Sequence, residues 1–318
     1  MRRSVLGLVA VLAAGCASGP VDVQTADAVP LRLDRRDPGR LLQSILGAFV
    51  GPDGGDPFAS GLVTGSGDGL TLHPQRLPAD ARAVLRDADG DGTLSWDELA
   101  PIADAPYRAA RAFPPTLDAL RAATGYDPDD PAWFTVDVDG VMTAARRRVS
   151  VPEAGLRTAM EAFARDGVLR YPAGTWIVGA HVVDGQTVET TAKHRRPDGF
   201  WDFIVYDAEG RLTDATATEP RPLRAPTQCT GCHLGQKRYQ PESSFPAEAP
   251  DGPFGPLAYH VPEAWRSREA TALFDEHARR DDGVLGLYAT LYAGRLLAAR
   301  ADGTIAPDDA ALLERLGL

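Results

Sequence analysis

The pentapeptide Cys229-Thr230-Gly231-Cys232-His233 is the feature that most constrains this 318-residue chain. Its C-x-x-C-H spacing is typical of covalent attachment of a c-type haem. The thiols of Cys229 and Cys232 can each add to a haem vinyl group, and the imidazole of His233 can bind the iron as proximal ligand. Because the covalent links prevent loss of the haem, the rest of the site can stay open or polar. The motif predicts one covalent haem c and narrows the chemistry to redox reactions or the binding of diatomic ligands.

The start of the chain predicts export and a lipid anchor. A basic segment, Met1-Arg2-Arg3, precedes the apolar residues 5–14, which are too few to span a bilayer as a permanent helix. The run Leu12-Ala13-Ala14-Gly15-Cys16 then resembles a bacterial lipoprotein signal, in which cleavage after Gly15 leaves a lipidated Cys16. An ordinary secretory signal cleaved nearby is the alternative. Either signal predicts a periplasmic or cell-surface protein, and acyl chains on Cys16 would hold it to a membrane.

Composition excludes some partners. A formal net charge of −11 argues against nucleic acid, whose binding requires a basic face. The hydrophobic content of 44% is that of an ordinary globular protein, and no second apolar stretch approaches the length of a transmembrane helix. With Cys16 lipidated and two thiols bound to haem, the chain has no cysteine left for a disulfide. We therefore expect packing, calcium and haem to hold the fold.

The calcium prediction comes from residues 87–98, which match the 12-residue EF-hand loop at its chemically constrained positions. Gly92 stands at position 6, where the chain must turn with positive φ. Leu94 stands at position 8, where an apolar residue pairs with a neighbouring loop. Outside the cytoplasm such a site is filled and structural rather than a switch. The predicted calcium ligands are Asp87, Asp89, Asp91, Thr93 through its carbonyl, Ser95 and Glu98.

EF-hand loops usually occur in pairs, and two further segments were compared with the pattern. Residues 135–146 align at several positions, but Arg146 stands where a bidentate carboxylate belongs. A degenerate second EF-hand and a β-turn at Asp139-Gly140 are both open for this segment. The fragment from Asp302 to Asp309 is predicted to be a turn followed by the start of the last helix.

Residues 168–207 predict an antiparallel sheet. The β-rich run 175–183 ends at Asp184-Gly185, a hairpin signal, and residues 187–194 form the return strand. A third strand covers residues 200–206, where Trp201, Phe203 and Val205 share one face. The C-terminal segment from Pro262 is predicted to be helical.

The order of these motifs resembles the cytochrome P-460 and cytochrome c-prime-beta family over about residues 165–245. The resemblance rests on Tyr171-Pro172-Ala173-Gly174-Thr175, Thr191-Ala192-Lys193, the run 199–207 and the C-x-x-C-H motif. It implies a small antiparallel sheet with one c-type haem that is open to ligands such as nitric oxide. The P-460 branch oxidises hydroxylamine and cross-links a lysine to the haem. Gly179 stands at that position here, and Lys193 matches a different family lysine, so we favour ligand binding or electron transfer.

The distal side of the iron has several candidate residues. Trp176 or Phe203 could wall an open site, while a distal Met or His would favour electron transfer. His181, Asp202 and Glu189 are candidate proton acceptors if the protein is an enzyme. The candidate distal ligands are His181, His194, His260, Met142 and Met160.

The sequence thus predicts an α+β fold, an antiparallel haem sheet flanked by helical segments. The predicted order is a signal peptide (1–16), a tether (17–40), a helical EF-hand region (41–150), the haem sheet (151–250) and C-terminal helices (251–318). Electron transfer, with a redox partner protein, or binding of a small haem ligand is the first functional hypothesis. A haem oxidoreductase acting on a small nitrogen compound or peroxide is the second, and a structural calcium-binding lipoprotein is the third.

Overall fold

A computed structural model describes residues 20–33, 38–67, 69–139, 145–217, 222–233, 259–278 and 283–318. The predicted signal peptide with Cys16, the distal candidate Met142 and residues 234–258 lie outside this part of the chain. Helices and largely antiparallel sheets make up the described residues, so the predicted α+β class is confirmed. No helix among these residues has the length and apolar character needed to cross a membrane.

The first part of the chain consists of short elements. In chain order they are β1 (Val29–Arg32), α1 (Pro38–Leu46), β2 (Val63–Thr64), β3 (Thr71–Leu72), α2 (Ala79–Ala83), β4 (Leu94–Ser95), α3 (Trp96–Leu99), α4 (Ala105–Arg111) and α5 (Leu117–Thr124). In the described residues β2, β3, β1 and β4 form a small sheet in that order. Its apolar side chains pack on α1 and α3 and form the N-terminal core.

The longer elements follow. They are β5 (Trp133–Asp139), β6 (Arg146–Pro152), α6 (Glu153–Asp166), β7 (Trp176–Val183), β8 (Gln186–Arg195), β9 (Trp201–Tyr206), β10 (Leu212–Thr213), α7 (Thr227–His233), β11 (Tyr259–His260), α8 (Arg268–Ala278), α9 (Gly283–Ala301) and α10 (Pro307–Leu316). Within the described residues the strands form one antiparallel sheet in the order β10-β9-β8-β7-β6-β5-β11. The three strands predicted between residues 175 and 206 and the C-terminal helices are confirmed.

The large sheet has two differently covered faces, because successive side chains of a strand point to opposite sides. The front face carries Ile177, Phe203 and Val205 and packs on α6, α8, α9 and α10. The back face carries Val178 and Ile204 and packs on α4 and α5. Both faces of the sheet are therefore covered by helices. Each side chain of a strand belongs either to the front core or to the back core.

Helix α9 lies at the centre of the front core, where residues 286–294 are all buried. Its Gly294 allows close approach of the chain before α8, because a Cβ there would lie 1.8 Å from the carbonyl oxygen of Trp265. The turn between β7 and β8 is the predicted Asp184-Gly185 hairpin, in which both residues have positive φ, 50° and 77°.

Two predicted boundaries differ from the structure. The large sheet begins at Trp133, so β5 and most of β6 extend it beyond the predicted range 151–250 into the segment predicted to be helical. Residues 20–33, assigned to a tether, instead fold onto the N-terminal core: β1 pairs with β3 and β4, and Val29 and Leu31 are buried. A strand with only two buried residues leaves too short a pattern to detect by periodicity.

Candidate functional site

The predicted calcium loop has the backbone turns that such a loop requires. Helix α2 precedes it and α3 begins within it at Trp96, and Gly90 and Gly92 adopt positive φ of 72° and 81°. These turns bring the carboxylates of Asp87, Asp89 and Asp91 together, with one oxygen of each lying within 4.8 Å of the others. Three hard oxygen donors at this separation are of the type that Ca²⁺ prefers.

Hydrogen bonds orient these carboxylates. Asp87 accepts bonds from the backbone N–H groups of Gly90 and Gly92 at 2.8 and 3.0 Å. The pKa of Asp87 is lowered, first of all by a further bond from the backbone of Val21 at 2.9 Å. The pKa of Asp91 is lowered chiefly by the hydroxyl of Thr93, which donates at 2.6 Å. Both groups are therefore ionised at neutral pH, as metal ligands must be.

Glu98, the predicted bidentate ligand, lies on α3 and forms a capping box with Ser95. Its carboxylate accepts from the backbone and hydroxyl of Ser95 at 2.8 and 2.7 Å and from the backbone of Ala88. Burial alone would raise the pKa of Glu98, but the bonds from Ser95 outweigh it and the pKa is lowered. Asp87, Asp89 and Asp91 thus fit a calcium ion in charge and donor type, whereas Glu98 is not part of their cluster and is bonded to Ser95 and Ala88.

The neighbour of this loop was not predicted. Leu94, at the pairing position, lies opposite Leu31 in a parallel bridge between β4 and β1. The guanidinium of Arg32 lies 3.0 Å from an Asp91 oxygen and 3.5 Å from an Asp89 oxygen. The segment that follows the predicted anchor therefore covers the loop and supplies a cation to it.

The other two loop candidates are part of the larger fold. Residues 135–139 belong to β5, which pairs with β6 in a register that places Asp139 opposite Arg146. The two strands are antiparallel neighbours, and residues 140–144, on which the choice between a β-turn and a degenerate EF-hand depends, lie outside the described part. The fragment from Asp302 is a turn between α9 and α10, as predicted.

The C-x-x-C-H motif lies on helix α7. At helical spacing, positions 229, 232 and 233 fall on one side of this helix. Cys229 is half-buried and packs against the front core of the large sheet. Thr230 is fully buried, and its hydroxyl has no hydrogen-bond partner among the residues that the structure describes. The side chains of Cys232 and His233 lie outside the described part, so the fit to haem rests on the helix, its position and Cys229.

A buried polar pair lies on the front face, on the same side as Cys229. His181 Nδ1 lies 2.9 Å from a carboxylate oxygen of Glu189, and its Nε2 lies 3.2 Å from the hydroxyl of Thr191. Glu189 also accepts a bond from the backbone N–H of Ala217, ten residues before α7. Burial, assisted by the charge of Arg147, lowers the pKa of His181 although Glu189 opposes the shift.

The remaining predicted site residues lie on different faces of the large sheet. Phe203 and the fully buried Met160 lie in the front core. Trp176 and His194, stacked at 4.5 Å between ring centroids, and Asp202 lie on the back face. His260 is exposed on the edge strand β11. Trp176, His194 and Asp202 therefore do not share a face with Cys229, because each alternates with a front-face neighbour.

Asp202 belongs instead to a buried ion cluster that the sequence did not indicate. Tyr107 donates to it at 2.6 Å and Arg111 at 3.1 Å, and a guanidinium nitrogen of Arg196 lies 3.6 Å away. Burial alone would raise the pKa of Asp202, but the bond from His194 and the two guanidinium groups lower it. The cluster attaches α4 to β9. Tyr107 and Arg111 lie 95 and 91 residues from Asp202 in the chain, so no local pattern reveals these two partners.

Comparison with known proteins finds no matching family model, no similar curated protein and no similar solved structure.

Proposed function

We propose that this chain is an exported, lipid-anchored monohaem c-type cytochrome with a structural calcium site, acting in electron transfer or in binding a small ligand. The observation that carries the proposal is the C-x-x-C-H motif on α7, a helix whose Cys229 packs against the front core. The export signal ending at Cys16 supports it, because haem is attached to such motifs outside the cytoplasm.

In this proposal Cys229 and Cys232 hold the haem, and His233 binds its iron. The haem, when bound, supplies one-electron chemistry and an affinity for diatomic ligands. Apolar front-face side chains such as Phe203 exclude water. His181 has a lowered pKa and stays neutral at pH 7, so it can accept a proton or a hydrogen bond.

The calcium site has a structural role in this proposal. Asp87, Asp89, Asp91, Thr93, Ser95 and Glu98 would surround the ion. Calcium would neutralise carboxylates that lie close together and so fix the loop between α2 and α3. Because extracellular calcium sites bind weakly and stay filled, we propose no signalling role for this one.

The buried His181–Glu189 pair favours a second candidate function, a haem oxidoreductase acting on a small nitrogen compound or peroxide. A histidine that is paired with a carboxylate, as His181 is with Glu189 on the front face, is a common arrangement for a general base. A third candidate, a structural calcium-binding lipoprotein, is supported only by the loop and the signal at Cys16.

Absorption spectra of the mature protein, recorded oxidised, reduced and with carbon monoxide, distinguish these functions. High-spin iron that binds carbon monoxide would support ligand binding or catalysis, and a low-spin spectrum that the ligand leaves unchanged would support electron transfer. Oxidation of hydroxylamine or peroxide, lost in His181→Gln, would favour the enzyme. Absence of haem absorbance in protein matured outside the cytoplasm would leave the calcium lipoprotein.

A further inference from the structure

We infer that helix α4 couples the calcium loop to the haem-carrying helix α7, with Asp104 and Arg108 as positioning residues. This inference rests on the proposed function, since it concerns the two groups assigned above to the loop and to α7. It assigns to the calcium site an influence on the haem that a merely local structural ion would not have.

A continuous stretch of hydrogen-bonded backbone connects the calcium loop to α4. Helix α3, which carries Glu98, continues into a 3₁₀ turn over Ala100–Ala103. Backbone bonds run on from Asp104 to the carbonyl of Pro101 at 3.3 Å and from Arg108 to the carbonyl of Asp104 at 3.2 Å. A shift of Glu98 toward a bound ion would therefore be transmitted to α4.

The second step joins α4 to the chain before α7 by two ion pairs. Asp104 accepts a bond from the guanidinium of Arg224 at 2.8 Å, and Arg108 pairs with Asp214. Asp214 and Arg224 lie on the two arms of one short hairpin, in which Ala225 donates to the carbonyl of Asp214 at 2.8 Å. Both arms of this hairpin are thus attached to the same helix.

The third step leads from the hairpin into α7. The backbone N–H of Gln228 donates to the carbonyl of Arg224 at 3.0 Å, and that of Thr230 donates to Pro226 at 2.7 Å. The first turn of α7 is therefore built on the residue that Asp104 binds. Because Tyr107 and Arg111 attach α4 to the buried Asp202, the helix has a fixed support on β9.

Coupling of this kind is reciprocal. If calcium changes the surroundings of the haem, the redox state of the haem must change the calcium affinity by the same factor. The two ion pairs that carry the coupling are partly exposed and individually weak. We therefore expect a factor on the order of fivefold, near the lower end of the usual range.

The test is the reduction potential of the mature holoprotein with and without saturating calcium. A fivefold coupling corresponds to a shift of about 40 mV for a one-electron couple. We expect this shift in the wild type and its loss in Asp104→Asn/Arg108→Gln. The control, Asp118→Asn/Arg121→Gln, removes an exposed ion pair on the next helix and should keep the shift. The charge-exchanged variant Arg108→Asp/Asp214→Arg should restore part of the coupling that Arg108→Asp removes.

Hydrogen exchange on the same samples provides a second measurement. We expect calcium to slow exchange in α4 and in residues 222–233 of the wild type, but only in α4 of Asp104→Asn/Arg108→Gln. A protein that binds both haem and calcium, yet has the same potential and the same exchange in 222–233 with and without the ion, would overturn the coupling alone. Failure to bind haem or calcium at all would overturn the proposed function as well.

Discussion

The hydroxyl of Tyr107 donates a 2.6 Å hydrogen bond to the carboxylate of Asp202, joining α4 to β9 across 95 residues of sequence. Asp202 is fully buried, and Arg111 and Arg196 supply the positive charge near it. Buried charges are costly unless they are paired and hydrogen-bonded, so each donor in this cluster matters to the fold.

The first prediction follows from that bond. Tyr107→Phe keeps the ring but leaves a buried carboxylate with one donor fewer, so the free energy of unfolding should fall by about 1–3 kcal/mol. Urea denaturation measures it. The control is Arg148→Gln, which removes an exposed pair with Asp129 and should cost less than about 0.5 kcal/mol. Equal losses in the two variants would contradict the importance of the buried cluster.

The second prediction concerns the loss of folding stability at low pH. Because the pKa of His181 is lowered from its ordinary value of 6.5, the unfolded chain binds a proton there more readily than the folded protein. The resulting stability is complete above pH 6.5 and is lost as pH falls through the lower folded pKa. The wild type should lose up to about 1.4 kcal/mol per pH unit in this range. In His181→Gln the free energy of unfolding, measured by urea denaturation, should depend less steeply on pH between 7 and 5. An unchanged dependence on pH would show that the pKa of His181 is not lowered in the folded protein.

The third prediction tests the calcium loop. One millimolar calcium should raise the midpoint of thermal unfolding of the wild type by roughly 1–6 °C, because extracellular sites have a Kd of about 0.1–1 mM. Asp87→Asn should abolish the rise, since it removes the charge at the first loop position. Asp97→Asn, an exposed acidic residue of the same loop that is not a predicted ligand, should keep it. A rise that survives in Asp87→Asn would place the ion elsewhere.

The fourth prediction concerns Arg32, whose guanidinium contacts Asp89 and Asp91 and would compete with calcium for them. Arg32→Gln removes this competing cation, so calorimetry should give a calcium affinity about two- to fivefold tighter than that of the wild type. Arg86→Gln makes the same charge change beside the loop, where the guanidinium instead donates to backbone carbonyls, and should alter the affinity less. Weaker binding in Arg32→Gln would show that the arginine supports the site.

Local patterns predicted the elements whose signal lies within a few residues. The hairpin at Asp184-Gly185 needs positive φ at both positions, and strands β7 to β9 alternate regularly around it. The calcium loop at 87–98 was predicted because metal ligation fixes residue types at fixed spacing, and the structure shows the positive φ expected at Gly92. Strand β6 was missed since Arg146-Arg147-Arg148 precedes the apolar alternation, which begins only at Val149. Strand β5 was missed because its residues 135–139 were aligned with an EF-hand loop.

Features that depend on distant residues could not be predicted in this way. The pairing of β1 with the loop, the Tyr107–Asp202 bond and the pair of Asp104 with Arg224 each join segments more than 60 residues apart. The two faces of the sheet could be predicted in part, because strand alternation already places Trp176 and Ile177 on opposite sides. Only the packing of Cys229 shows which side faces α7.

Covalent attachment of one haem to Cys229 and Cys232 underlies the proposed function, and the mass of the intact mature protein shows whether it is there. We predict a mass equal to the processed, lipidated polypeptide plus one haem, with the haem retained under denaturing conditions and its mass lost in Cys229→Ser/Cys232→Ser. A mass equal to the processed, lipidated polypeptide without haem, from cells that mature other c-type cytochromes, would exclude the covalent haem.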